Sequence, residues 1–216
     1  MNLSQKCNKI HTQINLEATK LGDLRKIAKE IKVDHTLAME LWSTGVFNSR
    51  QLAILIMDKK LLNQELINQL DLDIQEHHIE ERKQLIDWLM ANQLSKNKKT
   101  TSLMESWEDS SSKLQRRAFW YHQARLRWMG KTDQSNTEDL LLSIEKNLMK
   151  EEPEVQWAMN FTAGQIGKWQ KEYRSRCIAI GEVTGLYKDE VVPKNCTPSY
   201  LPKFIQIEVE KLAIQK

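Results

Sequence analysis

Between Gln93 and Lys131 the chain carries nine cations, Lys96, Lys98, Lys99, Lys113, Arg116, Arg117, Arg125, Arg127 and Lys131, against only three carboxylates, Glu105, Glu108 and Asp109. The whole protein has a net charge of +3, so the residues outside this stretch sum to a mildly acidic remainder. A basic block in an otherwise slightly acidic chain is the electrostatic footprint of a phosphate-binding face, because clustered cations concentrate a polyanion near them. The same residues would equally form a solvated, lysine-rich surface with no partner. Charge alone leaves both readings open.

Other chemistries find less support. The three cysteines, Cys7, Cys177 and Cys196, are odd in number and widely spaced, which argues against a disulfide framework and against a structural zinc site. They read as free thiols. The five histidines, His11, His35, His77, His78 and His122, include no H-x-x-x-H pair on an apolar helix, and His77-His78 reads as a solvated turn. No metal or cofactor is expected. A glycine-rich phosphate loop, a G-x-S-x-G elbow and an H-E-x-x-H helix are all missing from the sequence. Nucleotide hydrolysis, serine hydrolase chemistry and metalloprotease chemistry are therefore unsupported.

The elements that must carry the basic block are helices. Glycine and proline together number 11 of 216 residues, less than half the usual share of roughly 12%. That disfavours both an all-β chain with frequent turns and a disordered one. Hydrophobic spacing is helical nearly throughout. Leu24, Ile27, Ala28 and Ile31 repeat at three and four after a start near Gly22-Asp23. Asp34 is placed to cap a helix carrying Leu37, Ala38, Leu41 and Trp42, stopped by Ser43-Thr44-Gly45. Asn48 is the expected cap of the next, with Leu52, Leu55 and Ile56 inward. Further helices are expected through Leu61–Leu70, Leu85–Leu89, around Leu103, from Ser110 to Trp128, and from Thr137 to Leu148. Pro153 sits where a helix begins, and Gly185 is placed to end the segment Tyr173–Thr184. Pro202 opens a last helix, although Ile205, Ile207 and Val209 also alternate like a strand.

This gives ten or eleven helices with short connectors. A length of 216 residues fits one domain or at most two small ones. The expected fold is all-α, an α-solenoid of HEAT-like antiparallel helix pairs, because no pair can bury its apolar side alone; a compact bundle is the alternative. The longest apolar run, Leu52–Met57, is too short to cross a bilayer, and the first ten residues lack the apolar core of a secretory signal. A soluble, cytoplasmic protein with no membrane partner is expected.

Several blocks, in order and at matching spacing, resemble the DNA alkylation repair family, the HEAT-like repeat DNA glycosylases. They are Leu24–Ile31, Asp34-His35, Ala38–Gly45, Arg50–Ala53, Asp87-Trp88-Leu89, Arg116-Arg117-Ala118, Val155–Asn160, Gly181-Glu182, Gly185–Asp189 and Cys196–Tyr200. The resemblance is clearest over 21–212 and implies a single HEAT-like helical repeat domain over 1–216. It implies a concave basic groove around alkylated double-stranded DNA. It also implies a monomer that hydrolyses the N-glycosidic bond of N3- or N7-alkylated purines with no metal or nucleotide cofactor and without taking the base into a pocket.

In that resemblance Asp87 corresponds to the catalytic carboxylate. Cleavage builds positive charge on the sugar, and an ionised carboxylate beside it lowers the barrier or orients water. Arg116 or Arg117 corresponds to the arginine that forks onto a phosphate next to the lesion. Trp157 corresponds to an aromatic residue packed on sugar and backbone, whereas Trp88, Trp107, Trp120 and Trp128 read mainly as core. Lys96, Lys98 and Lys99 would hold the DNA backbone. Lys83 stands one helical turn before Asp87, where the family pattern has an aromatic residue. A lysine can touch phosphate there but offers no ring face to a sugar or a cationic base. This departure favours the alternative function, a non-catalytic HEAT-like module for bent or branched DNA, or a protein scaffold.

Overall fold

The computed structural model describes residues 3–15, 19–128 and 135–214; Lys131 of the basic block lies outside them. Every regular element among these residues is helical. They group into two compact units, Met1–Trp107 and Glu108–Lys216.

The first unit contains α1 (Gln5–Ile14), α2 (Leu21–Ile31), α3 (His35–Ser43), α4 (Phe47–Ile56), α5 (Gln64–Gln75), α6 (Ile79–Asn92) and α7 (Lys98–Glu105). Polar side chains start several of these helices by accepting the first orphan amides. Ser4 accepts from Cys7 N at 3.1 Å, Asp34 from Leu37 N at 3.1 Å and Asn63 from Leu66 N at 2.8 Å. Asn48 is not a cap: α4 begins at Phe47, and Asn48 Nδ2 instead donates to Ile14 O at 2.9 Å, tying α4 to the end of α1. Gly45 stops α3 as expected, at a φ of 71° that suits glycine.

Helix α4 is the axis of this unit, packed against α2, α3 and α6. Its residues are therefore buried on almost every side, Leu52, Ala53, Ile54 and Ile56 completely. Ile54, rather than Leu55, takes a core position. The buried Arg50 holds α3, α4 and α5 together. Its guanidinium donates to Asp73 O and Trp42 O, while Trp42 Nε1 donates to Asp73 Oδ2 at 2.6 Å. His77 is not the solvated residue its neighbourhood suggested. Its side chain is tucked in, with Nδ1 2.6 Å from Glu81 Oε2, and only His78 stands in solvent.

The second unit contains α8 (Lys113–Trp128), α9 (Thr137–Asn147), α10 (Pro153–Trp169), α11 (Arg174–Thr184) and α12 (Leu201–Ile214). Helix α8 starts three residues later than Ser110, because Ser112 Oγ caps it by accepting from Leu114 N and Gln115 N. Gly185 ends α11 at a φ of 62°. The segment after Pro202 is a helix, not a strand. Its Leu201 and Ile205 are buried because α12 lies on α10 and α11 at small residues. A Cβ at Gly181 would sit 2.5 Å from Pro202 Cδ and 2.7 Å from Leu201 Cβ, so only glycine admits this approach. Helix α10 is the centre of the unit, touching α8, α9, α11 and α12.

Candidate nucleic-acid interface

In the first unit, Asp87 and Lys83 stand one turn apart on α6, both half-buried. Asp87 is thus neither sealed in the interior nor fully solvated, although the adjacent Leu85, Ile86 and Leu89 are core. Lys83 Nζ lies 2.8 Å from Glu80 Oε1, so it reads as one end of an ion pair along the helix. The neighbouring Trp88 is fixed from two sides: its Nε1 donates to Gln51 O on α4 at 3.2 Å, and the guanidinium of Arg25 on α2 lies 5.0 Å from its ring centre. Such a stack of an arginine on an indole is attractive because the ring face is negative. Arg25 is exposed beside this half-buried tryptophan, a cationic partner of α6 that lies outside the basic block of the sequence.

Lys96, Lys98 and Lys99 are all exposed. Lys98 and Lys99 occupy the first turn of α7, where the Asn97 side chain accepts from Lys99 N at 3.0 Å, and Lys96 ends the short 3-10 turn before it. Cations at a helix N-terminus add to the partial positive charge of the helix dipole rather than cancelling it. The three lysines therefore make a locally strong anion-attracting spot.

In the second unit, the two adjacent arginines of α8 have separate fates, since neighbouring positions on a helix point about 100° apart. Arg116 is committed to structure. Its Nε and Nη2 grip Glu151 Oε1 and Oε2 at 2.8 and 2.9 Å, and its Nη1 donates to Ser110 O at 2.7 Å. Arg117 is buried, donates to Glu154 O at 2.7 Å, and lies 4.8 Å from the Trp157 ring centre. Trp157 and Arg117 are thus brought together, with α8 supplying the cation and α10 the ring.

Trp157 belongs to a row. It stacks on Phe161 with centroids 5.2 Å apart and planes 10° apart, while Tyr121 meets both rings edge-on at 5.7 and 5.8 Å. Phe204 of α12 closes the row against Phe161 at 6.0 Å. All four rings are half-buried, which leaves aromatic surface facing solvent. Tyr121, Phe161 and Phe204 carry no sequence motif that marks them as members of this row. The signal available was the i,i+4 spacing of Arg117 with Tyr121 and of Trp157 with Phe161, which puts each pair on one helix face. Tyr187, in the segment after α11, also lies near Arg117; burial raises its phenol pKa and the guanidinium opposes that rise.

Trp107 and Trp120 are core, Trp88 is half-buried and Trp128 is exposed. The unusual buried charge is Arg127. Neutral acceptors surround it: Gln123 O at 3.1 Å, Gln170 Oε1 and Asn136 Oδ1 at 3.2 Å, and Thr137 Oγ1 at 3.0 Å. Burial lowers its pKa to about 10. Two cations of the basic block, Arg117 and Arg127, are therefore interior groups rather than a phosphate-facing surface. Among the described residues, no group of three His, Cys, Asp or Glu side chains is placed to hold a metal ion, and no helix is long and apolar enough to cross a membrane.

These elements define an all-α protein of stacked helices carrying an aromatic row braced by an arginine. A family model described as DNA alkylation repair enzyme matches residues 5–179. The chain belongs to the DNA alkylation repair enzyme family. Among solved structures it is similar to one described as representing a new family of proteins related to the HEAT-like repeat DNA glycosylases with affinity for branched DNA structures. The two are 20% identical with a TM-score of 0.62, over 97% of this chain and 89% of that chain. This likeness establishes a shared fold, that of the HEAT-like repeat proteins. No curated protein matches the chain.

Proposed function

We propose that the protein binds DNA and hydrolyses the N-glycosidic bond of N3- or N7-alkylated purines, with Asp87 as the electrostatic catalyst. The observation that carries the reading is the half-buried placement of Asp87 on α6 beside Lys83 and the Arg25-Trp88 stack, in a chain of the DNA alkylation repair enzyme family. A half-buried carboxylate there keeps part of its surface open to solvent. Departure of an alkylated purine needs no general acid, because the base already carries positive charge. As the bond lengthens, positive charge moves to the sugar, and a fixed anion stabilises it without reorganising. Lys96, Lys98 and Lys99 supply phosphate contacts at the start of α7. Trp157, held by Arg117, presents a ring to the sugar-phosphate chain. Arg116 contributes indirectly, by bracing the start of α8 through Glu151.

Asp87→Asn tests this directly, since it keeps the shape and removes the charge. Release of N7-methylguanine from methylated duplex DNA should fall at least a hundredfold, the scale of losing one transition-state electrostatic partner, while DNA affinity is retained. Equal release by mutant and parent protein would remove Asp87 from the chemistry.

A second reading has a specific observation behind it. Lys83, where the family pattern has an aromatic residue, is engaged with Glu80. A protein built this way would recognise branched or bent DNA without excising a base; the structural relative is described as having affinity for branched DNA structures. In the same assay it binds DNA and releases no base.

A further inference from the structure

Among the described residues three arginines lie over tryptophan rings: Arg50 on Trp42, Arg117 on Trp157 and Arg25 on Trp88. The first two are braces. Both are buried, and their N–H groups end on backbone carbonyls, Asp73 O and Glu154 O. Arg25 has the same stack in a different setting. It is exposed, and among the described residues no carboxylate or carbonyl takes its N–H groups. The ring beneath it is fixed, because Trp88 Nε1 donates to Gln51 O on α4. A guanidinium held on a fixed indole keeps its charge and its planar fork of donors, and it has less rotamer freedom left to lose on binding. That fork matches the oxygen spacing of a phosphate or a carboxylate.

Helix α2 favours phosphate. From its N-cap to its C-cap it holds five cations, Lys20, Arg25, Lys26, Lys29 and Lys32, against Asp23 and Glu30. Lys26 is engaged with Asp23 at 3.6 Å. Lys29 stands one turn beyond Arg25 on the same helix face and is exposed. Lys32 follows at the C-cap, also exposed, with φ at 65° and ψ at −148°. That backbone conformation suits glycine, yet the chain keeps a cation there. Seven residues of helix rise about 10 Å, the axial length of about three successive phosphates of one DNA strand. A lone carboxylate would need one cation; a row of them fits a repeating anion.

We infer that the exposed face of α2 is a phosphodiester seat, with Arg25 forking onto one phosphate and Lys29 meeting the next; the inference rests on the DNA-binding reading above. Arg116 is tied to Glu151 and Arg117 is buried, so neither is placed to take that role. Arg25 is, and it leans on the helix that carries Asp87.

Fluorescence anisotropy with a labelled, fully paired duplex, titrated at several salt concentrations, tests this. Arg25→Gln should lower the slope of log K against log salt by about 0.9, the value of one phosphate contact. It should also weaken binding about tenfold at low salt, the scale of one hydrogen bond between charged groups. Lys29→Gln should lower the slope by a similar amount. Arg25→Lys keeps the charge and loses the fork, so it should keep the slope and bind less tightly than the parent protein. A second measurement leaves the protein unaltered. An arginine-specific dicarbonyl reagent, with the modified sites read by mass spectrometry, should label Arg25 in the free protein, and duplex DNA at low salt should protect it. An unchanged slope in Arg25→Gln, or labelling of Arg25 undiminished by bound DNA, overturns the inference and leaves the DNA-binding reading standing. Failure of the parent protein to bind the duplex at low salt overturns both.

Discussion

At the scale of single residues, Arg117 shows how much depends on which way a side chain points. Its guanidinium donates to Glu154 O and lies against Trp157 at once, a pairing that needs both a planar cation and a directed N–H. Lysine keeps the charge and loses the plane. Arg117→Lys is therefore expected to lower stability by about 1–3 kcal/mol, the scale of a buried charged hydrogen bond left unmade, measured by urea unfolding. Arg116→Lys, on an ion pair whose side chains keep 18% and 17% of their surface in solvent, should cost less. The thiols give a second residue-scale test. Burial raises the pKa of Cys177 to about 12 and shifts Cys7 upward as well, whereas Cys196 is exposed. A raised thiol pKa means less thiolate at any given pH, and the thiolate is the reactive form. At pH 8 the native protein should show one fast thiol toward a disulfide reagent, lost in Cys196→Ser, with the other two appearing only on unfolding. Three fast thiols would contradict the burial.

At the scale of elements, the seating of α12 decides whether the aromatic row is complete. Phe204 reaches Phe161 only because α12 comes close to Gly181 and Gly164. Gly181→Ala gains about 1 kcal/mol of helix propensity but places a methyl within 2.7 Å of Leu201 Cβ, and overpacking of this kind costs about 1–3 kcal/mol. The expected net result is a less stable protein in which α12 shifts. The check is a lower urea midpoint together with faster amide exchange in α12 than in α9. Most helices were legible from apolar spacing, and Asp34, Pro153 and Gly185 mark boundaries where they were expected. Asn48 and Ser110 misled because a polar residue before an apolar run is only a potential cap. Asn48 lies inside α4, which begins at Phe47, and its Nδ2 donates to Ile14 O, while Ser112 took the capping role at α8.

At the scale of the whole molecule, the governing quantity is charge. If the exposed lysines at the start of α7 contact phosphate, DNA binding releases counterions and log K falls with log salt by about 0.9 per contact. Replacing Lys96, Lys98 and Lys99 together by glutamine should then reduce that slope by up to about three. An unchanged slope would exclude those lysines from the interface. The basic block did not survive intact as a surface: Arg117 and Arg127 are interior, Arg116 is tied to Glu151, and the three lysines remain exposed. The amino-acid order by itself determined the helical class, most helix positions, the free thiols and the family-like blocks, because helix periodicity, capping and composition are properties of neighbours in the chain. Only the tertiary structure decided which of two adjacent arginines meets Trp157 and that Tyr121, Phe161 and Phe204 share its row. Those outcomes depend on which helix faces pack together, and a rotation of about 100° between consecutive residues sends one side chain to an ion pair and the next to a ring.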